Sequence, residues 1–303
     1  MPLLRLTPLR AALVTAFSAL LWGTSFPAND WGLNYTDPGT FAVVRFVIAA
    51  AVAALVALAF GRLDWHLFRR PIVWVFGALT AVGFLLQFVA QTITTPAKTA
   101  LLVNANAIVV AVVAVIVLKE RLSRSLKVAL GVAAVGVFLL TTEGRWEVLL
   151  EGSALGDGLA FLAGATWSAL IVLNKRLVDA EGPRIDVVSL IVATFTTTAL
   201  LLIPLALLFW PGTFLVMPAE GFLAALYVGA VCGAVANLIW LAALRHISAT
   251  ASAAILLAEV PTAAILSVLL GTDTFSVASA VGAAALFTAI AWVTLSDSAK
   301  PAT

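Results

Sequence analysis

Trp22-Gly23-Thr24-Ser25-Phe26-Pro27-Ala28-Asn29, followed by Pro38, and Trp167-Ser168-Ala169-Leu170-Ile171-Val172-Leu173-Asn174, followed by Pro183, carry the same landmarks in the same order. Trp22, Asn29 and Pro38 recur as Trp167, Asn174 and Pro183 at a constant offset of 145 residues. The offset divides the 303-residue chain into two similar halves. Each half holds five apolar segments of membrane-spanning length. An odd number of crossings obliges the second copy to enter the bilayer upside down relative to the first, the plan on which many transporters are built.

Composition excludes most other classes. With 63% hydrophobic and 11% charged residues and a mean hydropathy of +1.12, a soluble globule would expose far too much apolar surface. A bilayer core of about 30 Å takes about 20 apolar residues per helix. Ten segments meet that length: 9–30, 38–60, 71–93, 97–118, 124–142, 155–176, 186–210, 219–244, 248–270 and 276–296. Long unbroken apolar runs argue for helices and against an outer-membrane barrel. The expectation is an all-α integral membrane protein of two inverted five-helix repeats around a central cavity. Residues 1–142 form the first repeat, 143–154 an extracytoplasmic linker, and 155–303 the second repeat with a short cytoplasmic tail. The first segment is too long for a signal-peptide core and is expected to be retained.

Orientation follows from the cations. A cytoplasmic N-terminus puts Arg5, Arg10, Arg62, Arg69, Arg70, Lys119, Arg121, Arg124, Lys127, Lys175, Arg176, Arg184, Arg245 and Lys300 inside and leaves Lys98 and Arg145 outside. Both termini are therefore expected in the cytoplasm of a cell whose inner membrane the chain crosses. Arg45 falls near the outer end of the second segment; the expectation is snorkelling or pairing with Asp30 or Asp37, with binding of a substrate carboxylate as the lesser reading. The net charge of +2 is a topology signal, so no nucleic-acid partner is inferred. The lone cysteine, Cys232, lies within the eighth segment and is read as a buried thiol packing like a small apolar side chain.

The later segments repeat at an offset of 153: Thr99 with Ser252, Ala100 with Ala253, Ala111 with Ala264, Val115 with Val268, Glu120 with Asp273 and Ser123 with Ser276. Leu-Lys-Glu-Arg-Leu-Ser (118–123) becomes Gly-Thr-Asp-Thr-Phe-Ser (271–276). The cations vanish where the inverted loop faces outward.

Trp22-Gly23-Thr24-Ser25-Phe26, then Pro38, Arg45-Phe46 and Leu118-Lys119-Glu120-Arg121-Leu122-Ser123, together resemble the drug/metabolite transporter superfamily, and within it the EamA-type exporters. The resemblance spans residues 9–296. Many relatives carry Glu-Pro adjacent in the ninth helix; here it reads Glu259-Val260-Pro261, which looks closer to the YddG-like amino-acid exporters. The resemblance implies a cavity formed by helices one, three, four, six, eight and nine.

The intramembrane polar residues concentrate on those segments. Ser18, Trp22, Ser25 and Asn29 share one face of the first helix, and Thr80, Phe84, Gln87 and Gln91 one face of the third. The eighth offers Tyr227, Asn237 and Trp240, the ninth Ser252, Glu259 and Thr262. The substrate-binding candidates are Trp22, Ser25, Phe84, Gln87, Asn106, Trp167, Asn237, Trp240, Glu259 and Pro261. Trp22 and Trp167 would flank the midplane and offer aromatic faces to a side chain or, by cation–π attraction, to an ammonium group; the competing reading is that they fill the bundle core. Pro27 and Pro261 free the carbonyls of Gly23 and Leu257, either for a substrate ammonium or for neighbouring helices. Asn104 and Asn106 stand about 200° apart on a regular helix, so one at most faces the cavity, and Asn106 is chosen. Glu259 is the only carboxylate well inside a span; it is read first as structural, with proton coupling or cation binding as the alternative. Gly229 and Gly233 make a small-xxx-small patch for helix packing.

No zinc-binding His-Glu-x-x-His or Gly-x-Ser-x-Gly pattern is present, so no enzyme, cofactor or metal is expected. The resemblance implies an alternating-access exporter of small metabolites, amino acids including aromatic ones. A multidrug or nucleotide/sugar-type carrier, with or without proton coupling, is the competitor.

Overall fold

The computed structural model describes residues 6–271 and 276–297, and every regular element among them is helical. Arg5, Asp273 and Lys300, and the side chain of Gln91, lie outside the described residues. Ten helices are long and apolar enough to cross a membrane. They are α1 (Pro8–Leu33), α2 (Pro38–Ala59), α3 (Pro71–Ile93), α4 (Pro96–Asn104 and Asn106–Val113, ending in a π-turn at Ala114–Leu118) and α5 (Arg124–Thr142). The second half holds α6 (Ala154–Glu181), α7 (Val187–Phe209), α8 (Ala219–Tyr227, a π-helical Val228–Val235 and Ala236–Leu244), α9 (Ala249–Leu256 and Glu259–Leu269) and α10 (Val277–Asp297).

Local chemistry sets where these helices start. Proline opens each of the first four, where its missing N–H costs nothing and its fixed φ is already helical. Side-chain oxygens then take up the orphan N–H groups of the first turn: Asp37 accepts from Thr40, Thr95 from Lys98, Ser123 from Leu126, Asp186 from Ser189, Ser248 from Ala251 and Ser276 from Ser279. The caps recur in pairs. Asp37 and Asp186 open α2 and α7; Thr95 and Ser248 open α4 and α9; Ser123 and Ser276 open α5 and α10.

Packing pairs each helix of one half with a helix of the other. α2 lies against α7 with Gly39 beside Ala206 and Trp210 at one end and the Ser189 hydroxyl bonded to the Arg62 carbonyl at the other, so the two are antiparallel. α5 and α10 are also antiparallel: Gly136 and Gly282 meet backbone to backbone, and the Trp292 indole donates to Ser125 at 2.6 Å. α3 runs against α6 between the Arg70–Glu181 ion pair at one end and the Thr94–Asp157 hydrogen bond of 2.8 Å at the other. α1 runs against α8 in the same manner, from Trp22 beside Cys232 to Gly32 beside Ala224. Exchanging the halves turns each of these contacts into itself or into another in the set, which is the arrangement of two oppositely oriented repeats. Glycines and alanines at the crossings allow the close approach that membrane helices rely on. Leu55, Leu58, Val135 and Leu208 instead point outward, where lipid rather than water would meet them.

Helices α4 and α9 are each interrupted, at Ala105 and at Leu257–Ala258, positions related by the offset of 153. In α9, Pro261 has no N–H to give Leu257. The Leu257 carbonyl accepts instead from Val260 at 3.1 Å in a tighter turn, so the protein itself supplies a donor to the carbonyl that the proline frees. α4 breaks without a proline. The Asn104 amide donates to the Ala100 carbonyl at 2.9 Å, a local bond that competes with the helix ladder.

Glu120, read in sequence only as part of a loop motif, fastens the start of α9. Its carboxylate accepts from the Ala249 N–H (2.7 Å), the Thr250 N–H (3.3 Å) and the Thr250 hydroxyl (2.7 Å), placing negative charge on a helix N-terminus. Glu120→Gln should cost about 1–2 kcal/mol of stability, seen as a lower thermal midpoint of the detergent-solubilised protein. Single cysteines placed in 30–37 and in 177–185 should react with an impermeant thiol reagent from opposite faces of the membrane; labelling from a common face would contradict the inversion.

Candidate substrate cavity

A cavity of about 210 Å³ lies at the centre of the bundle, with walls from both halves. α1 contributes Trp22, Ser25, Phe26 and Asn29; α6, its counterpart, contributes Trp167, Leu170, Ile171 and Asn174. Positions 22, 25 and 29 of one half thus reappear in the other at the offset of 145. α3 adds Thr80, Phe84 and Gln87, and α8 adds Cys232, Gly233, Asn237 and Trp240. α5 and α10 contribute nothing to the lining, in keeping with their apolar sequences.

The aromatic walls are fixed by hydrogen bonds at their edges. The Trp22 indole N–H donates to the Cys232 carbonyl at 2.7 Å, an acceptor within the π-helical stretch of α8, where the shifted ladder also lets the Asn237 amide reach Gly233 at 2.8 Å. The Trp167 indole donates to Gln87 Oε1 at 3.3 Å, and the Trp240 indole to Ser252 Oγ at 3.0 Å. Trp22 lies 5.7 Å from Trp240, and Trp167 meets Phe84 edge-on at 4.9 Å. With each N–H satisfied by protein, the rings are held in place while parts of their surfaces remain on the cavity.

The helix interruptions deliver polar groups to the same space. Asn106 and Glu259 are the first residues after the breaks in α4 and α9, and both line the cavity. α6 and α1 support these two points alike: the Ser168 hydroxyl donates to the Asn106 carbonyl at 3.2 Å, while Gly23 lets α1 approach the Glu259 carbonyl, which a Cβ at 23 would meet at 2.8 Å. Asn104 also lines the cavity. The choice of Asn106 alone assumed an unbroken helix, whereas the helix is interrupted between the two at Ala105 and both line the cavity. No ion pair involves the Glu259 carboxyl among the described residues.

Nine of the ten sequence candidates face this cavity: Trp22, Ser25, Phe84, Gln87, Asn106, Trp167, Asn237, Trp240 and Glu259. Pro261 does not. It is buried in the second piece of α9, where its ring helps set the break rather than the lining. Of the other polar residues, Ser18 returns its hydroxyl to Val14, and Tyr227 bonds Thr24 at 2.6 Å. Cys232 faces the cavity and donates its thiol to the Leu21 carbonyl at 3.2 Å, so it does more than fill space.

Sequence reasoning missed the share of α2 and α7 apart from Arg45, whose contact with a substrate carboxylate was the lesser reading. Arg45 and Phe46 on α2, and Ile191, Thr194 and Phe195 on α7, line the cavity. Arg45 is only 6% exposed and does not snorkel. Its guanidinium lies 4.4 Å from the centre of the Phe84 ring and 5.2 Å from that of Phe46. Asp37, a partner expected for it, caps its own helix through Oδ1 and makes no ion pair with Arg45. The signal was a single cation two turns inside an apolar segment.

The sequence profile of the EamA-like transporter family matches residues 9–142 and again residues 154–295. The chain belongs to the EamA-like transporter family. It is a multi-pass membrane protein whose family carries small molecules across the bilayer. It is 25% identical over 252 residues to an uncharacterized transporter of Archaeoglobus fulgidus, covering 80% of this chain and 82% of that one. It is 28% identical over 192 residues to the uncharacterized transporter YyaM of Bacillus subtilis, covering 59% and 63%. A solved structure described only as "Crystal structure of protein" superposes with a TM-score of 0.80 at 21% identity over 95% of this chain and 98% of that one, a likeness of fold.

The Gly23 contact gives the site's most direct mechanical test. Gly23→Ala should push α1 from the α9 break, because the new methyl meets Thr262 Cβ at 2.6 Å as well as the Glu259 carbonyl. The expected cost is about 1–3 kcal/mol, measured by thermal unfolding in detergent, with a matching loss of transport. An unchanged midpoint would show that α1 and α9 separate freely at this point.

Proposed function

We propose that this EamA-like transporter exports small metabolites, amino acids including aromatic ones, from the cytoplasm by alternating access of its two inverted halves around the central cavity. The proposal includes an inner-membrane location with both termini cytoplasmic, as the cation distribution supports. One observation carries the substrate class: a single cavity joins aromatic surfaces from Trp22, Trp167, Trp240 and Phe84 to one acid, Glu259, and one base, Arg45. A free amino acid presents that combination, an ammonium and a carboxylate on one carbon with a side chain beside them. Five asparagines, Asn29, Asn104, Asn106, Asn174 and Asn237, add neutral donors and acceptors around the same space.

The two halves also carry the means to close either end. Arg70–Glu181 and Arg62–Asp186 (3.4 Å) tie helices together at one end of the bundle. Lys98–Asp157 (2.5 Å) does so at the other. Substrate shifts the balance between inward and outward forms only by contacting them differently. Walls drawn from both halves make such a difference available, because rocking one half moves half of the lining.

Purified protein in liposomes, tested for counterflow of amino acids, sugars, nucleotides and lipophilic cations, checks the reading. Saturable exchange of aromatic amino acids is the expected result; exchange confined to one of the other classes would overturn it. Trp22→Ala and Trp167→Ala should each reduce amino-acid exchange about tenfold, the effect of losing about 1.4 kcal/mol of contact. Glu259→Gln, followed across a range of pH, should weaken amino-acid exchange without altering its pH profile. A flattened profile would instead mark Glu259 as a proton-coupling group.

A further inference from the structure

Resting on the amino-acid reading above, we infer that Arg45 is the anchor for the substrate's carboxylate and sets a requirement for that group. A guanidinium within a membrane span is costly unless it is paired or meets water, and such a residue marks a functional position by default. Arg45 is 6% exposed, lines the cavity, and its buried Nη1 has no hydrogen-bond partner. No ion pair compensates it among the described residues. The guanidinium lies over the Phe84 and Phe46 rings, a contact that does not consume the N–H groups along its edge. A planar fork with free donors in a partly apolar cavity is built for bidentate contact with a carboxylate.

The duplicated fold contains its own control for this position. α2 and α7 start from the equivalent caps Asp37 and Asp186, and eight residues after each cap stand Arg45 and Thr194, followed by Phe46 and Phe195. All four line the cavity, and the two phenylalanines meet across the repeat axis at 5.6 Å. The packing task is therefore shared by both halves, and α7 performs it with a threonine. The second half meets the same packing without a cation at this place. Nearby, Asn29 Oδ1 is also buried without a hydrogen-bond partner. As an acceptor, it suits the ammonium end of the same ligand rather than the carboxylate.

The test uses full-length protein in liposomes and competition against radiolabelled L-phenylalanine exchange. The competitors are 3-phenylpropionate, which keeps the carboxylate and lacks the amine, and phenylethylamine, which keeps the amine and lacks the carboxylate. In the wild type, 3-phenylpropionate should compete at least tenfold more strongly than phenylethylamine; equal competition would overturn the inference without any variant. Arg45→Gln should lower L-phenylalanine affinity about tenfold or more and abolish the difference between the competitors. Arg45→Lys, which keeps charge but loses the fork, should fall between. An Arg45→Gln protein that still prefers the carboxylate refutes the role of Arg45 while leaving amino-acid transport standing. Should L-phenylalanine not exchange, labelled 3-phenylpropionate takes its place as substrate. Arg45-dependent exchange of it would sustain the carboxylate anchor and discard the amino-acid reading, and no exchange of either would discard both.

Discussion

Inside a bilayer the backbone has no water to turn to, so a helix can be interrupted only where other protein groups or a cavity take over its hydrogen bonds. This constraint organises the molecule. The breaks at Ala105 and at Leu257–Ala258 fall at equivalent points of the two halves, and both open onto the central cavity. Around them further hydrogen bonds form: the Leu257 carbonyl accepts from Val260, the Ala100 carbonyl from the Asn104 side chain, and the Asn106 carbonyl from Ser168. α1 and α6 each press against the opposite break. The close approach at Gly23 and the hydroxyl at Ser168 are two solutions to the same local need.

Much of this plan was legible in the sequence, because it rests on patterns that survive duplication. Ten spans follow from apolar length alone, and the offsets of 145 and 153 located equivalent helices before any contact was known. The offset of 153 also relates the caps Thr95 and Ser248, and the breaks themselves, although the sequence reading drew neither consequence from it. Glu120 shows a different limit. Its motif was visible, but its role as a cap in trans depends on α9 arriving beside it, a tertiary fact without local signature.

The cavity was legible where polarity and helical period agree, as at Trp22, Ser25, Phe84 and Gln87. It was misread where the helix departs from its ideal period. Asn104 and Asn106 both line the cavity with an interruption of the helix between them, and angular arithmetic on a straight helix has no access to that interruption. Pro261 misled in the opposite sense: a proline signals a freed carbonyl, yet the chain tightens to use it. Arg45 was placed by the tendency of long cations near a span's end to reach for the interface. That tendency yields here to aromatic contacts with Phe46 and Phe84 on the inner face of α2.

Inverted repeats make architecture and chemistry separable. Residues shared by the two halves, Trp22 and Trp167, Asn29 and Asn174, Phe46 and Phe195, line one cavity from both sides. The charged positions break the symmetry: Glu259 stands opposite Asn106, and Arg45 opposite Thr194. Neither ionisable group is repeated in the counterpart helix, and each carries the expense of an ionisable side chain within a span. A symmetric scaffold with neutral lining would hold a symmetric or apolar solute equally well in either direction. One acid on α9 and one base on α2 instead give the cavity two unlike sides, an asymmetry that the duplicated scaffold does not supply.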